Sequence, residues 1–218
     1  DGIRDDLVTG VQTCALPICQ LDGLAHIGVD HVYYNQVKAE DMVRPTGLLK
    51  YGTHNIPPIV TRGILLDMTA VFEKDMLVEG ESFNSKEIQA ALKRQKLYLE
   101  EGDVVLFHTG WHGLIGKDDL RFGTAEPGLG KDGAEFLAKA GVVAVGADTW
   151  GLEVLPFEVG TEVFPVHQIL LAQNGIYILE NMVTAELQAD GVYEFLFVLG
   201  LPRIEGAVQA IINPVAIH

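Results

Sequence analysis

The chain has 218 residues, of which 48% are hydrophobic and 21% charged, so it reads as a globular protein long enough to bury a core. Acidic residues outnumber basic ones 30 to 15, a net charge of −15, which argues against nucleic-acid and anionic-membrane partners. No apolar run reaches the roughly 18–20 residues that span a bilayer. The two cysteines, Cys14 and Cys19, are too close to staple a fold of this size, and a reducing cytoplasm is the expected compartment.

Residues 8–18 read Val-Thr-Gly-Val-Gln-Thr-Cys-Ala-Leu-Pro-Ile. This stretch resembles one reading frame of a sequencing-library adapter. We expect residues 1–18 to be a non-native segment that packs poorly, standing in place of the native start, and residues 19–218 to form one domain.

Within that domain, Val60 to Asp67 is rich in branched apolar residues and predicts a buried strand. Asn84 and Glu87 have the spacing of a capping box, and Phe83 and Ile88 that of a hydrophobic staple. They predict a helix to about Gln95 through Ile88, Ala91 and Leu92. Val104 to Phe107 predicts a second buried strand. A second helix is expected from Asp132 to Ala140, with Gly141 as its C′ residue. Val142 to Gly146 predicts a third strand, ending at Asp148. Pro165 suits the first turn of a third helix, carrying His167, Leu170 and Leu171 and stopped by Asn174-Gly175. Ile176 to Leu179 predicts a strand that ends at Glu180, and Glu194–Leu199 and Ala207–Ile212 supply two more. Alternating strands and helices predict an α/β fold, and the Gly-rich C-terminal third predicts a mixed sheet.

Two groups of residues carry the chemistry. Asp22 and His26 stand four apart, separated by Gly and small residues, so both side chains can enter one loop-lined cavity. His167 on the third helix and Glu180 at the carboxyl end of the next strand come together if the helix packs back on that strand. Ligands bind outside the carboxyl ends of strands in open α/β sheets. Imidazole and carboxylate donors together suit zinc or manganese. His31, His54, His108, His112 and His218 are expected to be solvated or structural. Trp111 and Trp150 are read as core residues.

These pieces, in order, resemble the cyclase family of metal-dependent hydrolases, which includes bacterial kynurenine formamidases and isatin hydrolases. The resemblance rests on Asp22-Gly23-Leu24-Ala25-His26, on Gly102-Asp103-Val104-Val105-Leu106 with Thr109-Gly110-Trp111, on Gly146-Ala147-Asp148-Thr149, and on Pro165-Val166-His167 with Ile178-Leu179-Glu180-Asn181. It implies a single α/β domain of the swivelling β/β/α type, with helices flanking a mixed sheet. The family's N-terminal motif is His-x-Gly-Thr-His-x-Asp-x-Pro-x-His, whose first two His and Asp bind metal and whose last His transfers protons. Asp22 matches the Asp and His26 the last His, while Leu16 and Gln20 stand where the two ligand His would be. His167 and Glu180 match the C-terminal ligands. Gly52-Thr53-His54 imitates the Gly-Thr-His trio but has Ile56 in place of the Asp.

The resemblance thus implies Asp22, His167 and Glu180 as metal ligands, His26 as the catalytic acid–base group, and Gln20 as a further metal or substrate contact. The implied activity is hydrolysis of an aryl formamide or small cyclic amide, as in arylformamidases of tryptophan catabolism. A divalent zinc or manganese ion and a homodimeric or homotetrameric assembly go with it. The competing expectation is a small-molecule binder on the same scaffold that does not turn over, because two ligand positions are changed.

Overall fold

The computed structural model describes residues 11–13 and 19–218. Nine strands form one mixed sheet: β1 (Val11–Thr13), β2 (Gln20–Asp22), β3 (Ile59–Asp67), β4 (Val104–His108), β5 (Ala144–Ala147), β6 (Tyr177–Glu180), β7 (Glu194–Leu199), β8 (Gln209–Ile211) and β9 (Val215–Ile217). Their order across the sheet is β1-β9-β7-β3-β4-β5-β6-β2-β8. The central four, β3 to β6, run parallel. The strands flanking them, β7 and β2, are antiparallel to their neighbours.

The parallel centre follows from composition. Strands buried on both faces read as continuous apolar runs, and every residue of β4 is buried. Alternate residues feed two core layers. Ile64, Val105, Val145 and Ile178 face one. Leu65, Leu106, Leu179 and Leu21 face the other, with Phe195 and Phe197 of β7.

The first layer is covered by helices α1 (Ser85–Gln95) and α2 (Lys131–Ala140) and by the segment that begins with α3 (Pro165–His167). Helix α1 starts where its sequence predicts, with the Asn84 amide donating to Glu87 Oε2 at 3.0 Å. Both halves of the Asn84–Glu87 capping box are present, and the Asn84 side chain also reaches across the fold, accepting from Gly133 N at 2.9 Å. Helix α2 ends on Gly141, whose φ is +74°, a conformation that favours glycine. Beyond α3 the expected α-helix is a π-helix over Gln168–Gln173. Its wider turn rotates each residue less about the axis, which keeps three consecutive side chains, Ile169, Leu170 and Leu171, in the core.

The segment expected to pack poorly contributes β1, which pairs antiparallel with β9 through Val11↔Ile217 and Thr13↔Val215. An exposed sheet edge offers unpaired backbone groups to any extended chain, so this pairing says nothing about where the segment comes from. Cys14 and Leu16, with the expectation of poor packing for residues 1–10 and 14–18, fall outside the described residues.

On the exposed end of β3, Arg62 grips buried Asp103 through Nε–Oδ1 at 2.9 Å and Nη2–Oδ2 at 2.8 Å. This bidentate pair ties β3 to the turn that leads into β4. Arg62→Met keeps the packing stem but takes from the buried carboxylate its only charged partner among the described residues and leaves it the Glu100 amide at 2.7 Å. We expect a loss of about 3 kcal/mol, read as a lower urea midpoint with unchanged m. A midpoint within error of the parent's contradicts the assignment.

Candidate metal centre

Strand register builds the centre. In the antiparallel β6–β2 pair, Gln20 lies opposite Glu180 and Asp22 opposite Ile178. Opposite residues share a sheet face, so Gln20, Asp22 and Glu180 all project toward the helical layer while Leu21 and Leu179 point into the other core. Past Asp22 the chain turns sharply, with His26 N donating to Gly23 O at 3.0 Å. A Cβ on Gly23 would stand 2.7 Å from the Val208 carbonyl oxygen, so only glycine permits the turn that swings His26 back over Asp22. From the other side, α3 delivers His167.

Asp22, His26 and His167 bring their donor atoms within 4.8 Å of one another. Asp22 Oδ2 is 3.7 Å from His26 Nε2 and 3.7 Å from His167 Nε2, and His167 Nε2 is 3.5 Å from Glu180 Oε1. Asp22 is fully buried, yet its Oδ2 has no hydrogen-bond partner among the described residues. A bare buried carboxylate oxygen is costly. Two donors, each about 2.1 Å from a tetrahedral ion, stand about 3.4 Å apart, close to the separations here. The residues present fit a divalent cation.

The surrounding charges point the same way. Buried Glu153 accepts from His167 Nδ1 through Oε1 at 2.7 Å and from Val166 N through Oε2 at 2.8 Å, which turns His167 Nε2 inward, the usual outer support of a metal-binding histidine. Buried Glu126 takes the Trp150 and Gly151 amides at 2.7 and 2.9 Å, holding the loop that carries Glu153. Burial pushes the Glu126 carboxyl well up, with Glu180 adding to it against the pull of the Trp150 amide. Burial also raises Glu180, with His167 opposing and Asp22 reinforcing the shift. For His167, burial acts downward, but its contacts with Asp22, Glu153 and Glu180 outweigh it and raise the imidazole well above its ordinary value. Among acids, an imidazolium proton supplies the positive charge that a metal ion replaces when it binds. His26 is only half-buried, and burial lowers it, against Asp22.

Gln20 donates from Nε2 to Glu180 Oε2, so its amide hydrogen faces the acid. His54 lies elsewhere, its Nδ1 accepting from Gly206 N at 3.3 Å. His108 pairs with Thr184 Oγ1 at 2.7 Å, and Asp148 accepts from Thr109 and Gly110, closing the carboxyl ends of β4 and β5. Trp111 is fully buried, whereas Trp150 is only half-buried. Sequence reasoning does not find Glu153, Glu126 or Gln209, whose Nε2 donates to Asp22 Oδ1 at 2.6 Å. Next to the ligands, Phe164 stands edge-on to the His167 ring at 5.4 Å and Phe157 edge-on to Phe164 at 5.0 Å. Phe164 has φ +53°, a strained conformation for a bulky residue.

A crystal structure described as a novel cyclase matches with a TM-score of 0.81 at 27% identity, over 94% of this chain and 69% of its own. Isatin hydrolase A from Ralstonia solanacearum matches at 0.67 with 19% identity, over 91% of this chain and 70% of its own. A structure described as a potential metal-dependent hydrolase with cyclase activity matches at 0.57 with 21% identity, over 91% and 76%. The last two establish likeness of fold. No curated protein matches the chain in sequence. The Cyclase family model matches residues 19–154, which is more than half of the chain and includes Asp22 and His26; the chain belongs to the cyclase family.

Proposed function

We propose that this protein is a metal-dependent hydrolase that opens the amide bond of a small aromatic formamide or lactam. The observation that carries the reading is Asp22 Oδ2, buried between two imidazole Nε2 atoms and without a hydrogen bond among the described residues. Asp22, His167 and Glu180 are the groups that would hold the ion. When bound, zinc or manganese supplies a Lewis acid for the substrate carbonyl and lowers the pKa of a water toward about 7.

The chain's own residues supply the rest. His26 accepts the proton of the attacking water and delivers it to the leaving nitrogen as the amide carbon–nitrogen bond breaks, yielding an acid and an amine. Its exposure, greater than that of His167, suits a group that must meet substrate. Glu153 keeps His167 in the tautomer that presents Nε2 inward. Phe164 and Phe157 give a flat ring an apolar edge to rest on. Support for a lactam also comes from the name of the isatin hydrolase relative. The homodimer or homotetramer that goes with this reading has a candidate face in exposed Val60, Leu196 and Ile217 on β3, β7 and β9. No helix among the described residues is long and apolar enough to cross a membrane, and the cytoplasm remains the expected compartment.

The test is a pH–rate profile on an aryl formamide. His26 must be neutral to take a proton, and its burial lowers its pKa below the ordinary 6.5. kcat/KM should therefore hold near neutrality and fall only as pH drops through a value below 6.5. An acid limb centred above 6.5 contradicts this assignment of the base to His26.

A further inference from the structure

Each acid of the centre is held by one oxygen and offers the other. Asp22 gives Oδ1 to Gln209 and leaves Oδ2 facing the imidazoles. Glu180 gives Oε2 to Gln20 and leaves Oε1 facing His167. Both partners are primary amides, which donate a hydrogen bond without bringing a positive charge. A lysine or arginine could hold the same oxygen, but it would neutralise the carboxylate and repel a cation. Gln209 sits on β8, the edge strand, directly opposite Asp22, so strand register aims its side chain at the acid from the side away from β6.

We propose that Gln209 is a positioning residue that fixes the rotamer of Asp22 so that Oδ2 faces a divalent cation with its charge intact. The inference rests on the metal-centre reading above. A purely structural partner for a buried acid would be expected to come with partners for both oxygens, and among the described residues Oδ2 has none.

The experiment measures Mn²⁺ affinity by calorimetry, and the melting temperature of the metal-free form, for the parent, Gln209→Leu and Gln209→Lys. Leu removes the donor and keeps an apolar stem suited to an edge strand. Lys restores a donor but adds a charge. Both should weaken Mn²⁺ binding, Leu by about 10–100-fold as for other outer partners of metal ligands, and Lys by at least as much although it keeps Asp22 paired. The metal-free melting temperature should stay at the parent value in the Lys variant. Parent-like Mn²⁺ affinity in either variant overturns the role of Gln209 and leaves the metal centre standing. Weakening that only tracks a lowered metal-free melting temperature also overturns it, in favour of a structural bond. A parent that takes up neither Mn²⁺ nor Zn²⁺ overturns the metal centre itself, and this inference with it.

Discussion

His167→Ala should remove metal uptake and hydrolysis together. The substitution deletes the donor that lies between Asp22 Oδ2 and Glu180 Oε1, 3.7 and 3.5 Å away. It also leaves the buried Glu153 carboxylate with the Val166 amide as its one remaining partner among the described residues. Loss of an outer partner alone costs about 10–100-fold in metal affinity, so loss of this ligand should exceed about 10²-fold, and activity should fall with it. Because the variant also strands a buried acid, metal content is best read beside a circular-dichroism spectrum. A folded variant that keeps its metal would remove His167 from the ligand set.

His26→Ala should do the opposite to metal and the same to rate. His26 is the more exposed member of the cluster, on a turn made possible by Gly23, and burial lowers the pKa of its imidazole. Taking it away should lower kcat on an aryl formamide by about 10²–10⁴ while metal content stays near the parent's. The geometry makes this a sharp test, since His26 Nε2 is as close to Asp22 Oδ2 as His167 Nε2 is. Metal loss equal to that of His167→Ala would make His26 a ligand. Full activity with metal retained would take it out of the mechanism.

The parts of this centre that were legible in sequence are those whose chemistry is local or whose residue type is rare in a core. Asp22 and His26 share one turn. Pro165 marks the start of the short helix that carries His167, and the apolar run before Glu180 ends at the acid. The long strand Ile59–Asp67 and the Glu87 return to the Asn84 amide were equally plain, because apolar runs and cap spacings are local signals. The outer partners were not. Glu153 lies on an irregular loop with no period, and its meaning comes only from where α3 lands. Gln209 is 187 residues from Asp22, and glutamine on a short edge strand carries no chemical signature. The π-helix after His167 was also hidden, since an apolar stretch alone cannot separate one helical turn width from another.

The central claim is that a divalent ion bound at Asp22, His167 and Glu180 makes this chain a hydrolase. The direct measurement is a chelation and reconstitution series, in which bound zinc and manganese are counted per chain and hydrolysis of an aryl formamide and of a lactam such as isatin is followed in the same samples. The account predicts about one ion per chain, loss of activity in step with ion removal, and its return on adding Zn²⁺ or Mn²⁺. Undiminished hydrolysis by a chain stripped of metal would contradict it, as would a fully loaded chain that binds such substrates and never cleaves them.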